Sequence, residues 1–341
     1  MKLNKNLCLG LVITSLVTPL GATSNISTPI PTETSEIQTV IQNNIIKVSS
    51  IEQAIEELKN SIKRAENKDF SLEFETEIVF DNEEELNEFV EDLFEKAITP
   101  LDDFTKQNIL LRSYKNTYNI TTYSNGLKKY KLTKIMISNT FKNNNEDIKK
   151  IDNLIKEVSP KILKGKKTNY EKVKAIYKYV NDNLEYKKYS SSNDIQNPEN
   201  VQTLIKERNI LEGLNNKGGV CETYAMLLYK LLTYNGFECK IVTGTVHSGN
   251  HAWNMVNING TWYYLDATAS DVPTEEFKAI IKQSYPNLTS KQLERNVNLN
   301  FKNNFFKYFL VSEKRLQNLG YSWDKSNYPN ATKIYPYPDF K

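Results

Sequence analysis

HAWNMVNINGTWYYLDAT, residues 251–268, is the stretch of sequence that decides the fold. Two runs rich in aromatic and long apolar residues flank Asn259 and Gly260. An Asn-Gly pair between two such runs is the strongest short-range signal for a β-hairpin with a two-residue turn. The stretch therefore predicts two antiparallel strands that meet at Asn259 and Gly260.

The predicted turn also fixes which residues lie opposite each other in the hairpin. With a two-residue turn, Trp253 faces Asp266 and His251 faces Thr268. His251 and Asp266 are then diagonal neighbours on one face of the sheet, with Cβ atoms roughly 6 to 8 Å apart. A shift of the register by one residue would put them on opposite faces. The turn thus predicts an imidazole and a carboxylate within hydrogen-bonding reach.

An imidazole beside a carboxylate is the arrangement of a general base and its orienting acid. The carboxylate holds the ring in the tautomer whose other nitrogen takes a proton from a nucleophile. His251 is one of only two histidines in the chain, the other being His247. Taken alone, Asp266 is more simply a carboxylate at the end of a strand. The catalytic interpretation therefore depends on a nucleophile elsewhere in the sequence.

Cys221 is the nucleophile that the sequence offers. The run from Cys221 to Leu232 is apolar on nearly every side, which predicts a buried central helix with the cysteine in its first turn. The positive end of the helix macrodipole favours a thiolate at that position. Gly219, just before the helix, is expected to leave room for a substrate backbone. The alternative interpretation is an inert buried cysteine.

Three motifs resemble the core motifs of the bacterial transglutaminase-like superfamily, and their order and spacing also match. They are GVCETYA at residues 219–225, HAWN at residues 251–254 and WYYLDAT at residues 262–268. The resemblance covers roughly residues 168–328. It implies a papain-like α+β core, in which a helix bearing the cysteine packs on an antiparallel sheet bearing the histidine and the aspartate.

The resemblance also assigns the roles of nucleophile, base and orienting acid to Cys221, His251 and Asp266. We call these three residues the predicted triad. Two positions depart from the family pattern: Thr223 stands where glycine is frequent, and Ala267 stands where proline is common. Neither difference removes a functional group from the predicted triad.

The resemblance leaves the reaction open, because members of the superfamily include crosslinking enzymes, amidases, peptidases and inactive binding modules. The first expectation is a thiol acyl-transfer enzyme that forms a thioester on Cys221 at an amide or peptide carbonyl. The alternatives are a secreted cysteine peptidase or amidase that acts on peptides or cell wall, and a non-catalytic extracellular binding module. The sequence contains no recognisable metal or cofactor motif, so we predict neither.

Four residues near the motifs are weaker candidates for a substrate cleft. Trp253 and Tyr264 are expected to shape a groove for the acyl chain, although strand aromatics more often serve packing. His247 lies in the loop before the base, where a solvated histidine is the simpler interpretation. Gly219 completes the predicted cleft.

The N-terminus predicts export. Two lysines precede an apolar run from Leu7 to Leu20, and small residues follow up to Ser24. The run is shorter than the roughly 20 residues of a membrane-spanning helix. We predict a signal peptide over residues 1–24, cleaved after Ser24, with an uncleaved anchor as the alternative. The mature protein is then secreted or held at the cell surface and has no membrane span.

Length and charge set the remaining expectations. A chain of 341 residues exceeds the size at which one hydrophobic core suffices. We predict a flexible linker over residues 25–49, a small α+β domain over residues 50–140 and the transglutaminase-like catalytic domain over residues 141–341. Lys and Arg number 44 against 41 Asp and Glu, without a strongly basic face, so nucleic acid is not an expected partner. A protein, peptide or cell-wall peptide substrate is expected, and the sequence leaves the oligomeric state open.

Overall fold

The chain folds as an α+β protein, as predicted. A computed structural model describes residues 10–17, 44–123, 125–187, 198–271 and 274–338. Two compact units divide the chain, Cys8–Asn145 and the part from Glu146 onwards. Among the described helices, none combines the length and the apolar character needed to cross a bilayer.

The N-terminal unit is a five-stranded sheet covered by helices. Its elements are β1 (Gly10–Val17), β2 (Ile45–Val48), α1 (Ile51–Arg64), β3 (Phe70–Phe80), α2 (Glu83–Ile98), α3 (Asp103–Asn108), β4 (Ile109–Thr122) and β5 (Lys128–Phe141). The strand order is β1-β4-β5-β3-β2, with β1 and β2 paired in parallel at the two edges. Helix α2 packs on α1, β3 and β5, and the core between them is apolar. Its fully buried side chains include Leu58, Ile62, Leu86, Val90, Leu132 and Ile135.

The structure corrects the predicted linker at its C-terminal end. Residues 45–48 form β2 and pair with β3, and the side chain of Val48 is buried. Isoleucine and valine favour strands, but four residues are too few to show a period of two. Within the predicted signal peptide, residues 10–17 form β1, and the remainder lies outside the described residues. Export and cleavage stay predictions.

The C-terminal unit carries a second five-stranded sheet, in which every strand pair is antiparallel. The strand order is β10-β6-β7-β8-β9. The elements before the sheet are α4 (Asn145–Leu163), α5 (Asn169–Asn183), α6 (Pro198–Arg208), α7 (Ile210–Asn215) and α8 (Cys221–Tyr234). The sheet and its connections are β6 (Cys239–Val246), β7 (Gly249–Ile258), β8 (Thr261–Leu265), α9 (Ala267–Ser270), α10 (Thr274–Ser284), α11 (Ser290–Tyr308), β9 (Phe309–Val311), α12 (Glu313–Asn318), β10 (Tyr321–Ser322) and a 3₁₀ turn (Lys325–Asn327).

Helix α8 is the central helix that the sequence predicts, and it packs on β6 and β7. Its side chains are buried on several faces, which explains the apolar run. Asn254 on β7 donates a hydrogen bond of 3.0 Å from Nδ2 to the carbonyl oxygen of Ala225. This buried contact fixes the first turns of the helix on the sheet, where the cysteine must meet the histidine.

The hairpin has the predicted turn. Asn259 and Gly260 both have positive φ, 53° and 82°, as a two-residue turn of this type requires. Ile258 pairs with Thr261, and the regular pairing continues to Asn254 opposite Leu265. The register predicted from the Asn-Gly pair is therefore confirmed over the strands.

The prediction beyond Leu265 was wrong, because the chain leaves the sheet there. Trp253 does not pair with Asp266, and Thr268 lies in helix α9 instead of opposite His251. Asp266 is the N-cap of α9, and its Oδ1 accepts a hydrogen bond of 2.9 Å from the backbone N–H of Ala269. Aspartate is a preferred N-cap residue, and this local preference ends the strand.

Candidate active site

Cys221 is the first residue of α8 and is partly exposed, which leaves its thiol open to a reactant. The first N–H groups of a helix have no partner within the helix, and their partial positive charge favours a thiolate there. The other described cysteine, Cys239, is buried in β6, and both are free thiols. The structure therefore presents one accessible thiol at a helix N-terminus.

Gly219 has a packing role instead of the predicted role of leaving room for a substrate backbone. A Cβ atom on Gly219 would lie 2.8 Å from Cβ of Thr223, which is fully buried in α8. Its N–H donates to the carbonyl oxygen of Glu185 at 3.1 Å, and its own carbonyl accepts from the N–H of Lys187 at 3.0 Å. Both backbone groups of Gly219 are thus bonded within the protein.

His251 lies between the thiol and the carboxylate. Its Nε2 is 2.7 Å from Oδ2 of Asp266, and only 15% of its side chain is exposed. Cys221 is close enough to the same ring to raise its pKa. Because Nε2 is held by Asp266, Nδ1 is the nitrogen that remains for Cys221. The structure therefore brings all three residues of the predicted triad together in the predicted order.

Asp266 is fully buried, and several groups fix its position. Besides His251, Oδ2 accepts a hydrogen bond of 2.5 Å from the hydroxyl of Tyr321. The backbone carbonyl of Asp266 accepts from the hydroxyl of Tyr177 at 2.6 Å, and its N–H donates to the carbonyl of Tyr308 at 3.0 Å. These contacts hold the side chain and the backbone of Asp266 in a single orientation.

The electrostatics of the pair favour a protonated imidazole. Burial alone lowers the pKa of His251, but the charge of Asp266 and the hydrogen bonds to Asp266 and Cys221 outweigh it. The net effect raises the pKa of His251 to about 10. The imidazolium therefore persists at neutral pH beside Cys221.

Trp253 supports His251 from within the sheet. The two rings stack with centroids 5.8 Å apart and an interplanar angle of 23°, and Tyr321 meets Trp253 edge-on at 5.2 Å. Gly244 on the neighbouring strand makes this packing possible. A Cβ atom there would lie 2.9 Å from the indole of Trp253 and 2.2 Å from the carbonyl oxygen of Ser322.

Trp253 and Tyr264 do not line a groove, so this part of the cleft prediction was wrong. Each is 1% exposed, and both belong to a core cluster under the C-terminal segment. Tyr264 packs edge-on against Trp323, with centroids 5.0 Å apart. His247 is exposed in the β6–β7 turn, and its backbone N–H donates to the carbonyl of Gly320 at 3.2 Å. Within the described part of the chain, His247 makes no hydrogen bond to Cys221, His251 or Asp266.

A buried ion pair lies next to Cys221. Nε of Arg208 is 2.7 Å from Oε2 of Glu222, and its NH1 is 3.3 Å from Oε2 of Glu207. Burial raises the pKa of Glu207, and the charge of Arg208 opposes that shift. The pair ties the end of α6 to the first turn of α8. Across the residues that the structure describes, no three His, Cys, Asp or Glu side chains are grouped to hold a metal ion.

Sequence reasoning did not identify Tyr321 and Tyr177 as residues of the site. Tyr321 comes 55 residues after the aspartate that it contacts, and no periodic pattern links the two positions. The resemblance to the transglutaminase-like superfamily extends to about residue 328. It was the one available signal that the C-terminal segment belongs to the core.

The comparison with protein families agrees with the geometry. Residues 156–267 of the C-terminal unit match the family model of the transglutaminase-like superfamily. No protein with a curated description matches the sequence.

Solved structures with detectable similarity are distant. A TGase has 15% sequence identity and a TM-score of 0.30, over 67% of this chain and 59% of its own. A proposed cysteine protease from Cytophaga hutchinsonii has 18% identity and a TM-score of 0.26, over 49% and 68%. A proposed protease from Parabacteroides distasonis has 13% identity and a TM-score of 0.26, over 46% and 39%.

Proposed function

We propose that the transglutaminase-like domain is a thiol acyl-transfer enzyme that acts on amide or peptide carbonyls through a thioester on Cys221. The observation that carries the proposal is the hydrogen bond between His251 and the buried Asp266, on a ring that also interacts with Cys221 at the start of α8. Burying an imidazole and a carboxylate together costs free energy, which a purely structural pair recovers poorly. A binding module would have no use for an imidazolium beside an accessible thiol.

In the first half of the reaction, the Cys221 thiolate attacks the carbonyl carbon and forms a tetrahedral adduct. Nδ1 of the His251 imidazolium donates its proton to the nitrogen of the leaving amine. The carbon–nitrogen bond breaks, the amine departs, and the acyl group remains as a thioester. His251 is then neutral, and Asp266 keeps its ring in place through Nε2.

In the second half, an acceptor resolves the thioester. Neutral His251 takes a proton from the acceptor, which attacks the thioester carbonyl, and the Cys221 thiolate leaves. A primary amine gives a new amide and therefore crosslinking, whereas water gives an acid and therefore amidase or peptidase activity. We place this chemistry outside the cell, on peptides or cell-wall peptides, on the strength of the predicted signal peptide.

The test offers the protein a glutamine-containing peptide with and without a primary amine and follows the products by mass spectrometry. Amine incorporation identifies a transferase, and conversion of glutamine to glutamate or cleavage of the peptide identifies a hydrolase. Cys221→Ala should be folded and inert, while Cys239→Ala, which removes the buried thiol, should keep the activity. Undiminished turnover by Cys221→Ala would refute the nucleophile assignment.

A further inference from the structure

The short segment of Glu185, Tyr186 and Lys187 is anchored beside the nucleophile. Tyr186 forms a parallel bridge with Gly219, through the hydrogen bonds that Gly219 makes with the two neighbours of Tyr186. Gly219 comes two residues before Cys221. The bridge therefore places Tyr186 next to the start of α8, where the thiol is exposed.

Asp271 anchors the same segment from the other side. Its Oδ2 accepts a hydrogen bond of 3.1 Å from the backbone N–H of Tyr186 and another from the hydroxyl of Tyr224. Tyr224 lies one helical turn after Cys221 on α8. We call Asp271, Tyr224 and the Tyr186 N–H the Asp271 clasp. It joins the segment, the cysteine helix and the chain after α9.

The Asp271 clasp contains a partly buried carboxylate, and burying an ionised carboxylate costs more free energy than burying a neutral side chain. Burial raises the pKa of Asp271 to about 6, and the nearby carboxylates of Glu185 and Asp182 add to the shift. The hydrogen bonds from Tyr224 and Tyr186 only partly offset these effects. A perturbed carboxylate in contact with a candidate active site is more often functional than one elsewhere.

The side chain of Tyr186 is suited to contact a substrate. The residue is 36% exposed, so part of it is covered and part is open to solvent. Burial raises the pKa of its hydroxyl, and the negative charges of Cys221 and Asp266 add to the shift. The Tyr186 hydroxyl is therefore close enough to Cys221 and Asp266 to interact with their charges, and the residue stays partly exposed.

We propose that Tyr186 forms a wall of the substrate cleft and packs against the acyl donor, and that Asp271 is the positioning residue that holds Tyr186 there. The inference rests on the proposed function and deepens it. A flat aromatic ring fits the carbon chain or peptide backbone that leads to the reacting carbonyl. The wall then favours acyl donors with a chain attached to the reacting carbonyl. It makes no contact with a small reagent that lacks such a chain.

The test compares two thiol reagents of different size on Cys221. Iodoacetamide needs only the thiolate, whereas a benzyloxycarbonyl-capped dipeptide chloromethyl ketone also needs the wall. For Tyr186→Ala, we expect the inactivation rate constant of the dipeptide reagent to fall about tenfold, while alkylation by iodoacetamide stays within about twofold. Tyr186→Phe, which keeps the ring, should react with both reagents like the wild type.

Asp271 is tested through its dependence on Tyr186. Asp271→Asn should slow the dipeptide reagent about fivefold in the wild-type background and have no further effect in Tyr186→Ala, because it acts through the ring. Tyr234→Phe, at the exposed end of α8 and outside the Asp271 clasp, is the control and should have no effect. A uniform loss with both reagents, additive losses in the double variant, or no loss would overturn the inference.

The same experiment separates this inference from the proposed function. If iodoacetamide reacts with Cys221 no faster than with an ordinary thiol, the activated thiolate is absent and the proposed function fails. If Cys221 is activated but the two reagents respond equally to Tyr186→Ala, only the wall and its positioning residue are wrong.

Discussion

Two aspartates bracket the four-residue helix α9, and they have opposite electrostatic surroundings. Asp266 precedes the helix and Asp271 follows it, and each accepts a hydrogen bond from a tyrosine hydroxyl, Tyr321 or Tyr224. Asp266 also faces His251, which can carry a positive charge. Asp271 faces a backbone N–H and two further carboxylates, and its pKa rises to about 6.

The difference shows what turns a buried carboxylate into an orienting acid. Hydrogen bonds from neutral donors are common to both ends of α9, so they do not distinguish the two aspartates. The distinguishing partner is the imidazole, whose own pKa rises to about 10 because Asp266 stabilises its protonated form. One aspartate is placed to hold a charge pair for chemistry, and the other is placed to hold a segment of chain.

The largest expected effect comes from neutralising Asp266, and it is compared with the effect of neutralising Asp271. Asp266→Asn should lower kcat by roughly 10³ to 10⁴-fold, because a neutral amide neither stabilises the imidazolium nor fixes its tautomer. Asp271→Asn should lower kcat/KM by less than about tenfold. Steady-state kinetics on one glutamine peptide measures both, and equal losses would remove the distinction between the two aspartates.

The next effect is on stability and depends on pH. The Cys221→Ala variant removes the thiol that interacts with His251. In this variant, the raised pKa of His251 stabilises the folded state. That contribution is complete below the unfolded pKa near 6.5 and is lost as the pH rises through the folded pKa. We expect the free energy of unfolding to fall on the order of 2 kcal/mol between pH 6.5 and 10.

The control for this measurement is Cys221→Ala combined with Asp266→Asn. Without the carboxylate, the pKa of His251 loses its main cause of elevation, so the fall between pH 6.5 and 10 should largely disappear. Urea denaturation at several pH values gives both curves. Parallel curves would mean that Asp266 does not hold the proton on His251.

The tyrosine partners provide a smaller effect. Tyr321→Phe should lower kcat about tenfold, as removal of a supporting hydrogen bond behind a catalytic histidine typically does. Tyr285→Phe, at an exposed position, is the matched control. A rate equal to that of the wild type would show that the Tyr321 hydroxyl does not help to orient Asp266.

The smallest effect concerns Asp271 and has the opposite sign from most core substitutions. The raised pKa of Asp271 means that ionisation destabilises the folded state, so this cost is absent below about pH 4 and grows as the pH rises through 6. Asp271→Asn should therefore stabilise the protein by about 1 kcal/mol at pH 8 and leave it unchanged or slightly less stable at pH 4. Destabilisation at pH 8 would show that the ionised clasp is favourable.

Local signals were sufficient for the hairpin and for the central helix. The Asn259-Gly260 turn fixed the register, and the continuous apolar run from Cys221 identified a helix buried on several faces. The meeting of His251 with Asp266 also followed from the turn, although the aspartate reaches the imidazole from the cap of α9 and not from a strand. A preference for capping overrode the continuation of the sheet.

The long-range parts of the site could not be derived from one sequence. Strand alternation placed Trp253 on the same face as His251, but it does not show what covers that face. In the structure, residues near Leu316, Trp323 and Ala331 cover it and turn the predicted groove into core. Tyr321 and Asp271 join the site through contacts 55 and 47 residues apart in sequence, for which no periodic pattern exists.

The most direct test of the central claim is the pH dependence of Cys221 alkylation by iodoacetamide, with the modified residue located by mass spectrometry. If His251 and Asp266 hold the thiol ionised, the rate at pH 6 should exceed that of a free cysteine thiol by about tenfold or more and change little up to pH 9. Asp266→Asn should restore a strong pH dependence. A wild-type rate that rises about tenfold per pH unit from pH 6 to 8, as for an ordinary thiol, would contradict the account.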